Sequence, residues 1–134
     1  MINNQNEIIY LKAKELRQMV REKVATSFTE DSDLRDLLLK LSTDIPLHIG
    51  ISMKLNSLEQ IVDHLNDAKK KLAELCVIID LISNEYFKFD ETKLNAIINE
   101  ISELIPAKIQ KAEEEERQWL DEMMQEFYVK ENEE

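Results

Sequence analysis

Apolar residues recur every three or four positions along most of the chain, which is the spacing of one helix face. The first such segment runs from about Glu7 to about Ser27. Its apolar positions share one side of a helix: Ile9, Ala13, Leu16, Val20 and Val24. The pattern predicts an amphipathic first helix with charged residues on its other side.

A second helix is predicted from about Asp31 to about Met53, with Asp31 or Ser32 as its N-cap. Its apolar stripe consists of Leu34, Leu38, Leu41, Ile45 and Ile49. Pro46 lies inside this segment and removes one backbone donor, so a kink or break is expected just before it.

Beyond Pro46 the apolar residues alternate, which is the period of a strand: Leu47, Ile49, Ile51, Met53 and Leu55. A single strand without a partner is not stable, so we favour a helix that is apolar on nearly every side. Such a helix has to be buried within its own domain or against another subunit. Leu47, Ile51 and Met53 are therefore candidate residues of an oligomer or partner interface.

The third helix is predicted from about Ser57 to about Ser83. Ser57 followed by Gln60 matches a capping box. The stripe of this helix is the clearest in the chain: Leu58, Ile61, Leu65, Ala68, Leu72, Leu75, Ile79 and Ile82.

A fourth helix is predicted to begin near Asp90. Its stripe consists of Leu94, Ile97, Ile98, Ile101, Leu104 and Ile105, and continues with Ile109 and Ala112. Pro106 is expected to kink this helix or to start a new one. Residues 113–118 interrupt the stripe, and it resumes with Trp119, Leu120, Met123, Met124 and Phe127.

Length and composition agree with one all-helical domain. The chain has 134 residues, one glycine and two prolines, whereas antiparallel β-folds use many of both in their turns. The predicted fold is all-α: an antiparallel up-down four-helix bundle over residues 7–112, with a long fourth helix or a helical extension over residues 113–134.

The cysteine content and the lack of a signal-peptide or membrane-span pattern predict a cytoplasmic protein without a membrane anchor. Cys76 is the one cysteine, so no intramolecular disulfide can form and a reducing compartment is expected. The N-terminal residues lack the pattern of a signal peptide, and no apolar run approaches the roughly 20 residues of a membrane span.

The net charge of −11 is concentrated in one segment. Residues 113–134 contain ten acidic and two basic side chains and carry −8, so residues 1–112 carry −3. The predicted bundle is therefore nearly balanced, and its acidity alone does not exclude nucleic acid.

No constellation of catalytic, cofactor-binding or metal-binding residues is evident. His48 and His64 lack the Glu-x-x-His spacing of bundle metal sites, and Cys76 lies among apolar neighbours. Four consecutive acids, Glu113 to Glu116, point around a helix and do not converge on a cation. We therefore expect no enzyme, no cofactor, no metal and no small-molecule substrate.

Two groups of basic residues allow two interpretations. One group is on the first segment and the other on the third: Lys12, Lys14, Arg17 and Arg21, then Lys69, Lys70 and Lys71. They are candidate RNA- or partner-binding residues, because phosphate binding needs clustered cations. Nearby acids also fit an ordinary solvated surface.

The apolar residues of the C-terminal segment leave two possibilities open as well. Trp119, Met123 and Phe127 are typical of a helix that docks in a partner's groove. The same residues could instead fold back on the bundle or extend it in an oligomer.

The segment around Pro46 resembles a known family. Ile45, Pro46, Leu47 and Ile49 match an Ile-Pro-Leu-Asn-Ile type motif. A following Leu-x-x-Ala-x-x-x-Leu-x-Glu-Leu motif is matched by Leu65, Ala68, Leu72, Glu74 and Leu75, and the preceding link by Phe28, Glu30 and Asp31. These three features resemble those of the four-helix-bundle proteins of 23S rRNA intervening sequences and of the accessory variability proteins of diversity-generating retroelements.

The resemblance covers roughly residues 7–112, with His48 in place of the usual asparagine and Gly50 to Ser52 in place of Ala-Glu-Gly. It implies a homo-oligomer, commonly a pentamer. It also implies an adaptor without an active site that binds a reverse transcriptase, its structured RNA, or both. The alternative is a protein–protein interaction module that uses its acidic C-terminal helix and has no nucleic-acid role.

Overall fold

The structure, a computed structural model, describes residues 4–27, 32–83 and 91–132. Over these residues the chain forms four α-helices and no strand: α1 (Asn4–Ser27), α2 (Ser32–Ser52), α3 (Leu58–Ser83) and α4 (Glu91–Asn132). The prediction of an all-α chain with four helices is confirmed. The predicted link and cap residues Phe28, Glu30, Asp31 and Asp90 lie outside the described residues.

The helices are arranged as a closed ring. Helix α2 packs against α1 and α3, and α4 packs against α3 and α1, which closes the ring. Helices α1 and α2 pass each other in reverse order, since Tyr10 meets Gly50 and Arg17 meets Thr43. Each helix therefore turns one face toward a shared interior.

The four predicted stripes up to Ile109 form one core, except that Leu58 is partly buried outside it. Ala112 is also partly buried outside the core, and the stripe from Trp119 onwards is exposed. The buried members of the core are Ile9, Ala13, Leu16, Val20, Val24, Leu38, Leu41, Ile45, Ile49, Leu65, Ala68, Leu72, Leu75, Ile79, Ile82, Leu94, Ile97, Ile98, Ile101 and Ile105. Leu34, Ile61, Leu104 and Ile109 pack against this core and are partly exposed. The stripe positions were predictable because an amphipathic helix has one way to bury its apolar face.

Neither proline ends a helix. Of the predicted alternatives, the break before Pro46 and the new helix at Pro106 are wrong, whereas a kink at either proline stays a prediction. Pro46 is buried, and the helices packed on either side of α2 stabilise its backbone despite the lost hydrogen bond. The strand considered for residues 47–55 does not form, because residues 47–52 complete α2.

The expectation that the end of α2 is buried all round is not met within one chain. Leu47 is 52% exposed, whereas Ile51 and Met53 are partly buried. Among the described helices only α1 and α3 pack against α2, so its outer side has no neighbour in the described part of the chain. The other possibility, burial against another subunit, stays a prediction.

The single glycine lies where α2 is in close contact with a side chain of α1. A Cβ atom added to Gly50 would lie 3.2 Å from Cε1 of Tyr10, closer than ordinary van der Waals contact. Glycine therefore lets the Tyr10 ring of α1 rest on the backbone of α2. Near it, the buried Ser52 hydroxyl donates a 2.6 Å hydrogen bond to the Ile49 carbonyl, so no polar group is stranded there.

Residues 53–57 connect α2 to α3 in a short, defined turn. The Lys54 amide donates to the Ile51 carbonyl at 2.9 Å, which closes the end of α2. Ser57 caps α3, since its hydroxyl accepts a hydrogen bond from the Gln60 amide at 3.4 Å. The predicted cap at Ser57 is confirmed.

Two leucines of α3 test whether this core is the source of stability. Leu75→Ala should lower the free energy of unfolding by about 2–5 kcal/mol, because Leu75 is fully buried and its removal leaves a cavity. Leu81→Ala is the matched control: Leu81 is 64% exposed, and its loss should cost less than about 1 kcal/mol. Urea denaturation measures both, and equal losses would contradict the described packing.

Candidate functional site

Helix α4 continues well past the core that it helps to form. It has 42 residues, whereas α3 has 26. From residue 113 to residue 131 every side chain is exposed except that of Glu116, which is partly buried. We call residues 113–132 the α4 overhang.

The α4 overhang carries an apolar stripe that faces solvent. At about 100° per residue, Trp119, Leu120, Met123 and Phe127 fall within an arc of about 100°. Trp119 is 56% exposed and Phe127 is 65% exposed. Met124 lies at the edge of the arc and is exposed too. Trp119, Met123 and Phe127, predicted as interface residues, are thus uncovered in the single chain.

A groove marks the point where the α4 overhang leaves the bundle. One wall is the start of α3 with Leu58 and Ile61, and the other is α4 with Ala112, Glu116 and Trp119. The Oε2 atom of Glu116 is buried and accepts no hydrogen bond from the described part of the chain. The apolar stripe therefore begins next to a carboxylate that folding leaves unsatisfied.

Lys108 occupies an unusual position beside this groove. Ile101, Ile105, Lys108 and Ala112 follow one another at helical spacing, so a lysine stands in the apolar stripe of α4. Its Nζ atom is buried and donates no hydrogen bond to the described residues. Desolvation by burial lowers the pKa of Lys108 from 10.5 to about 8. Lys108 was not among the predicted site residues, although its place in the stripe was a usable signal.

The basic residues of α1 are partly engaged by their neighbours. Lys12 forms ion pairs with Glu100 of α4 at 3.2 Å and with Glu15 at 3.8 Å. The Nε atom of Arg17 donates to the Thr43 hydroxyl at 3.1 Å. Lys14 and Arg21 are exposed, and the Lys14 ammonium lies 4.7 Å from the centre of the Tyr10 ring.

The second basic group is separate from the first. Lys69 and Lys70 are exposed, and Lys71 is paired with Glu74 at 3.7 Å. Helices α1 and α3 are not neighbours in the ring of described helices, because each packs against α2 and α4 instead. The fold therefore does not join the two predicted groups into one continuous cationic surface.

The two histidines, which lack the spacing of a bundle metal site in the sequence, are in contact. His48 of α2 and His64 of α3 place their Nδ1 atoms 3.0 Å apart, with ring centroids at 5.2 Å. Asp67, one turn after His64, brings a carboxylate oxygen into the same cluster. The signal was the short connection at residues 53–57, because residues at similar distances from it on two adjacent helices come close to each other.

Cys76 has the properties of a structural thiol. It is partly buried against the core, and desolvation raises its pKa, with a backbone hydrogen bond opposing this to a smaller extent. Glu113, Glu114 and Glu115 are exposed around the helix and do not converge. Neither feature forms a reactive centre among the described residues.

Comparison of the chain with protein-family models, with curated proteins and with solved structures finds no match. Among the described residues no helix combines the length and apolar character needed to cross a bilayer. The resemblance based on the Pro46 region therefore stays a prediction.

Lys108→Met should stabilise the protein at neutral pH by about 1 kcal/mol. The pKa shift from 10.5 to about 8 corresponds to about 3 kcal/mol, and solvent screening of this partly buried side chain reduces it to about 1 kcal/mol. Between pH 8 and 10.5 the unfolded chain binds the proton and the folded chain does not, so wild-type stability rises with pH. The advantage of the variant should therefore shrink over this interval.

Urea denaturation of both proteins at pH 7 and pH 10 measures this difference. The exposed Lys70→Met variant controls for the loss of one positive charge. A Lys108→Met variant that is less stable than wild type at pH 7 would mean that the Lys108 ammonium has a favourable partner.

Proposed function

We propose that the protein is a non-enzymatic helical adaptor that captures a partner protein through the α4 overhang. The observation that carries this proposal is the solvent-facing stripe of Trp119, Leu120, Met123 and Phe127 on a helix beyond its own core. An unsupported helix of this length is marginally stable in water. A groove on a partner protein that covers the stripe stabilises both the helix and the contact between the two proteins.

The charge of the α4 overhang indicates the chemistry of the partner. Residues 113–134 carry −8, so pairing two copies side by side would bring strong like charges together. Acidic residues near the C-terminal end of a helix also oppose its dipole. A partner protein with an apolar groove rimmed by lysine and arginine relieves both the charge repulsion and the unfavourable interaction with the helix dipole. We propose that such a protein binds the α4 overhang.

The family resemblance is compatible with this partner. Its retroelement members bind a reverse transcriptase, and enzymes that hold nucleic acid have cationic surfaces. Under the proposal, residues 7–112 form an antiparallel up-down bundle in the cytoplasm, and residues 113–134 form the docking arm.

Direct RNA binding is a second candidate function. It is supported by the exposed side chains of Lys14, Arg21, Lys69 and Lys70. It is less well supported than protein capture, because Lys12, Arg17 and Lys71 are engaged within the chain. The two groups also lie on helices that are not neighbours.

Trp119 provides a direct test because it is the single tryptophan of the chain. A synthetic amphipathic peptide with leucines on one face and flanking lysines should shift its fluorescence to the blue in a saturable way. The same peptide with glutamates in place of the lysines should not. The Met123→Gln, Phe127→Gln double variant keeps the charge and should bind at least about tenfold more weakly.

The Gln125→Ala variant is the matched control, because Gln125 lies on the opposite side of the α4 overhang. Equal binding by the double variant and the wild type would refute docking through the stripe. Failure of the cationic peptide would count against the proposal too. Salt-sensitive binding of an RNA hairpin that Lys69→Glu, Lys70→Glu removes would then favour the second candidate.

We also propose self-association through the outer side of α2. Leu47 is exposed beside the partly buried Ile51 and Met53, and residues 1–112 carry only −3, so charge repulsion between copies is weak. The pentamer rests on the resemblance alone.

Leu47→Lys should lower the mass measured by analytical ultracentrifugation, because a buried lysine in a subunit contact is costly. Leu81→Lys places the same charge on another exposed leucine, in α3, and should leave the mass unchanged. A wild-type chain that sediments as a monomer at all concentrations would contradict self-association.

A further inference from the structure

His48 and His64 face each other across the contact between α2 and α3. Their Nδ1 atoms are 3.0 Å apart, and the two rings are tilted by 33°. A contact of this length between ring nitrogens requires one to donate a proton and the other to accept it. At least one Nδ1 atom therefore directs a lone pair into the space between the rings.

A carboxylate completes the group. Asp67 follows His64 by three positions, so the two side chains leave α3 on the same side. One oxygen of Asp67 and one nitrogen from each ring lie within 4.8 Å of one another. Asp67 is exposed, and both histidines are partly buried, so the group is open to solvent on one side.

We propose that His48, His64 and Asp67 form a binding site for a divalent transition metal, with Zn²⁺ as the ion that fits best. Two imidazole nitrogens and one carboxylate oxygen are a donor set that Zn²⁺ accepts. Hard cations such as Mg²⁺ prefer oxygen donors and are poorly served by this set.

The distances are close to those that coordination needs. Zn–N bonds of about 2.0–2.1 Å in tetrahedral geometry place two nitrogens about 3.3 Å apart. The observed 3.0 Å separation needs an opening of a few tenths of an ångström. Asp67 reaches its position by side-chain rotation, which its exposure allows. The fourth position of the ion is left for water.

The proton balance of binding is simple. In the hydrogen-bonded pair one ring holds its proton on Nδ1, and binding requires both Nδ1 atoms to offer lone pairs. That proton moves to Nε2 of the same ring through solvent, so two neutral rings bind the ion without net proton release. The adjacent cation Lys71 is paired with Glu74, so the Asp67 carboxylate is not its partner in the described structure.

The bound ion joins α2 to α3 close to the turn at residues 53–57. His48 precedes the end of α2 by one turn, and His64 lies in the second turn of α3. Since the unfolded chain does not hold these residues together, the ion binds the folded state preferentially and stabilises it. The site is independent of the α4 overhang and of its partner.

Isothermal titration of the chelator-treated full chain with Zn²⁺ tests the proposal. We expect one site per chain, a rise in melting temperature with Zn²⁺, and visible d–d absorption when Co²⁺ replaces Zn²⁺. His48→Gln and His64→Gln should each weaken Zn²⁺ binding at least about a hundredfold and abolish the Co²⁺ absorption, while Asp67→Asn weakens binding about tenfold.

Asp63→Asn is the matched control, since Asp63 is an exposed carboxylate on the same helix outside the cluster. Zn²⁺ binding that is unchanged in His64→Gln would overturn the proposal and assign the binding to surface carboxylates. A loss in Asp63→Asn equal to that in Asp67→Asn would overturn it as well. Circular dichroism shows whether each variant is folded. If a histidine variant fails to fold, the comparison of Zn²⁺ binding by Asp67→Asn, at an exposed position, with Asp63→Asn remains the test.

Discussion

The packing of α2 against α3 determines the geometry of one whole end of the molecule. The five residues 53–57 join the two helices, and Ser57 caps the second of them, so little freedom is left in how they pair. Once Ile45, Ile49 and Leu65 are buried, the positions of the other α2 and α3 side chains follow. His48 and His64 meet because their distances from this turn are similar.

The length of α4 is the second constraint. Its first half is matched to its neighbours and buries Leu94, Ile101 and Ile105 against them. The helix exceeds α3 by 16 residues, which is about 24 Å of additional helix. Apart from the groove that Trp119 shares with Leu58 and Ile61, the apolar side chains of that length are exposed, and no described helix packs over them. The α4 overhang therefore differs from the core helices because the helix continues where no described helix packs against it.

The apolar stripes could be predicted from the sequence because residues at helical spacing lie on one face of the helix, and an apolar face is buried when the helix packs. The continuity of α2 through Pro46 could not, since it depends on support from neighbouring helices rather than on local preference. The contact between His48 and His64 depends on how α2 and α3 pair, and the spacing of residues within one helix does not determine that pairing. Lys108 was visible as a lysine at an apolar position, but its desolvation depends on the groove around it.

Departures from ordinary folding rules collect at the end of the bundle that holds the α2–α3 turn. The Nζ atom of Lys108 is buried beside Met53 and Leu55 of this turn and donates no hydrogen bond to the described residues. Glu116 leaves a carboxylate oxygen unsatisfied, and Trp119 presents a large apolar surface in a groove shared with Leu58. The middle of the bundle, by contrast, is a consistent apolar core. Proteins often carry such costly groups at binding sites, so their position agrees with the docking surface proposed for the α4 overhang.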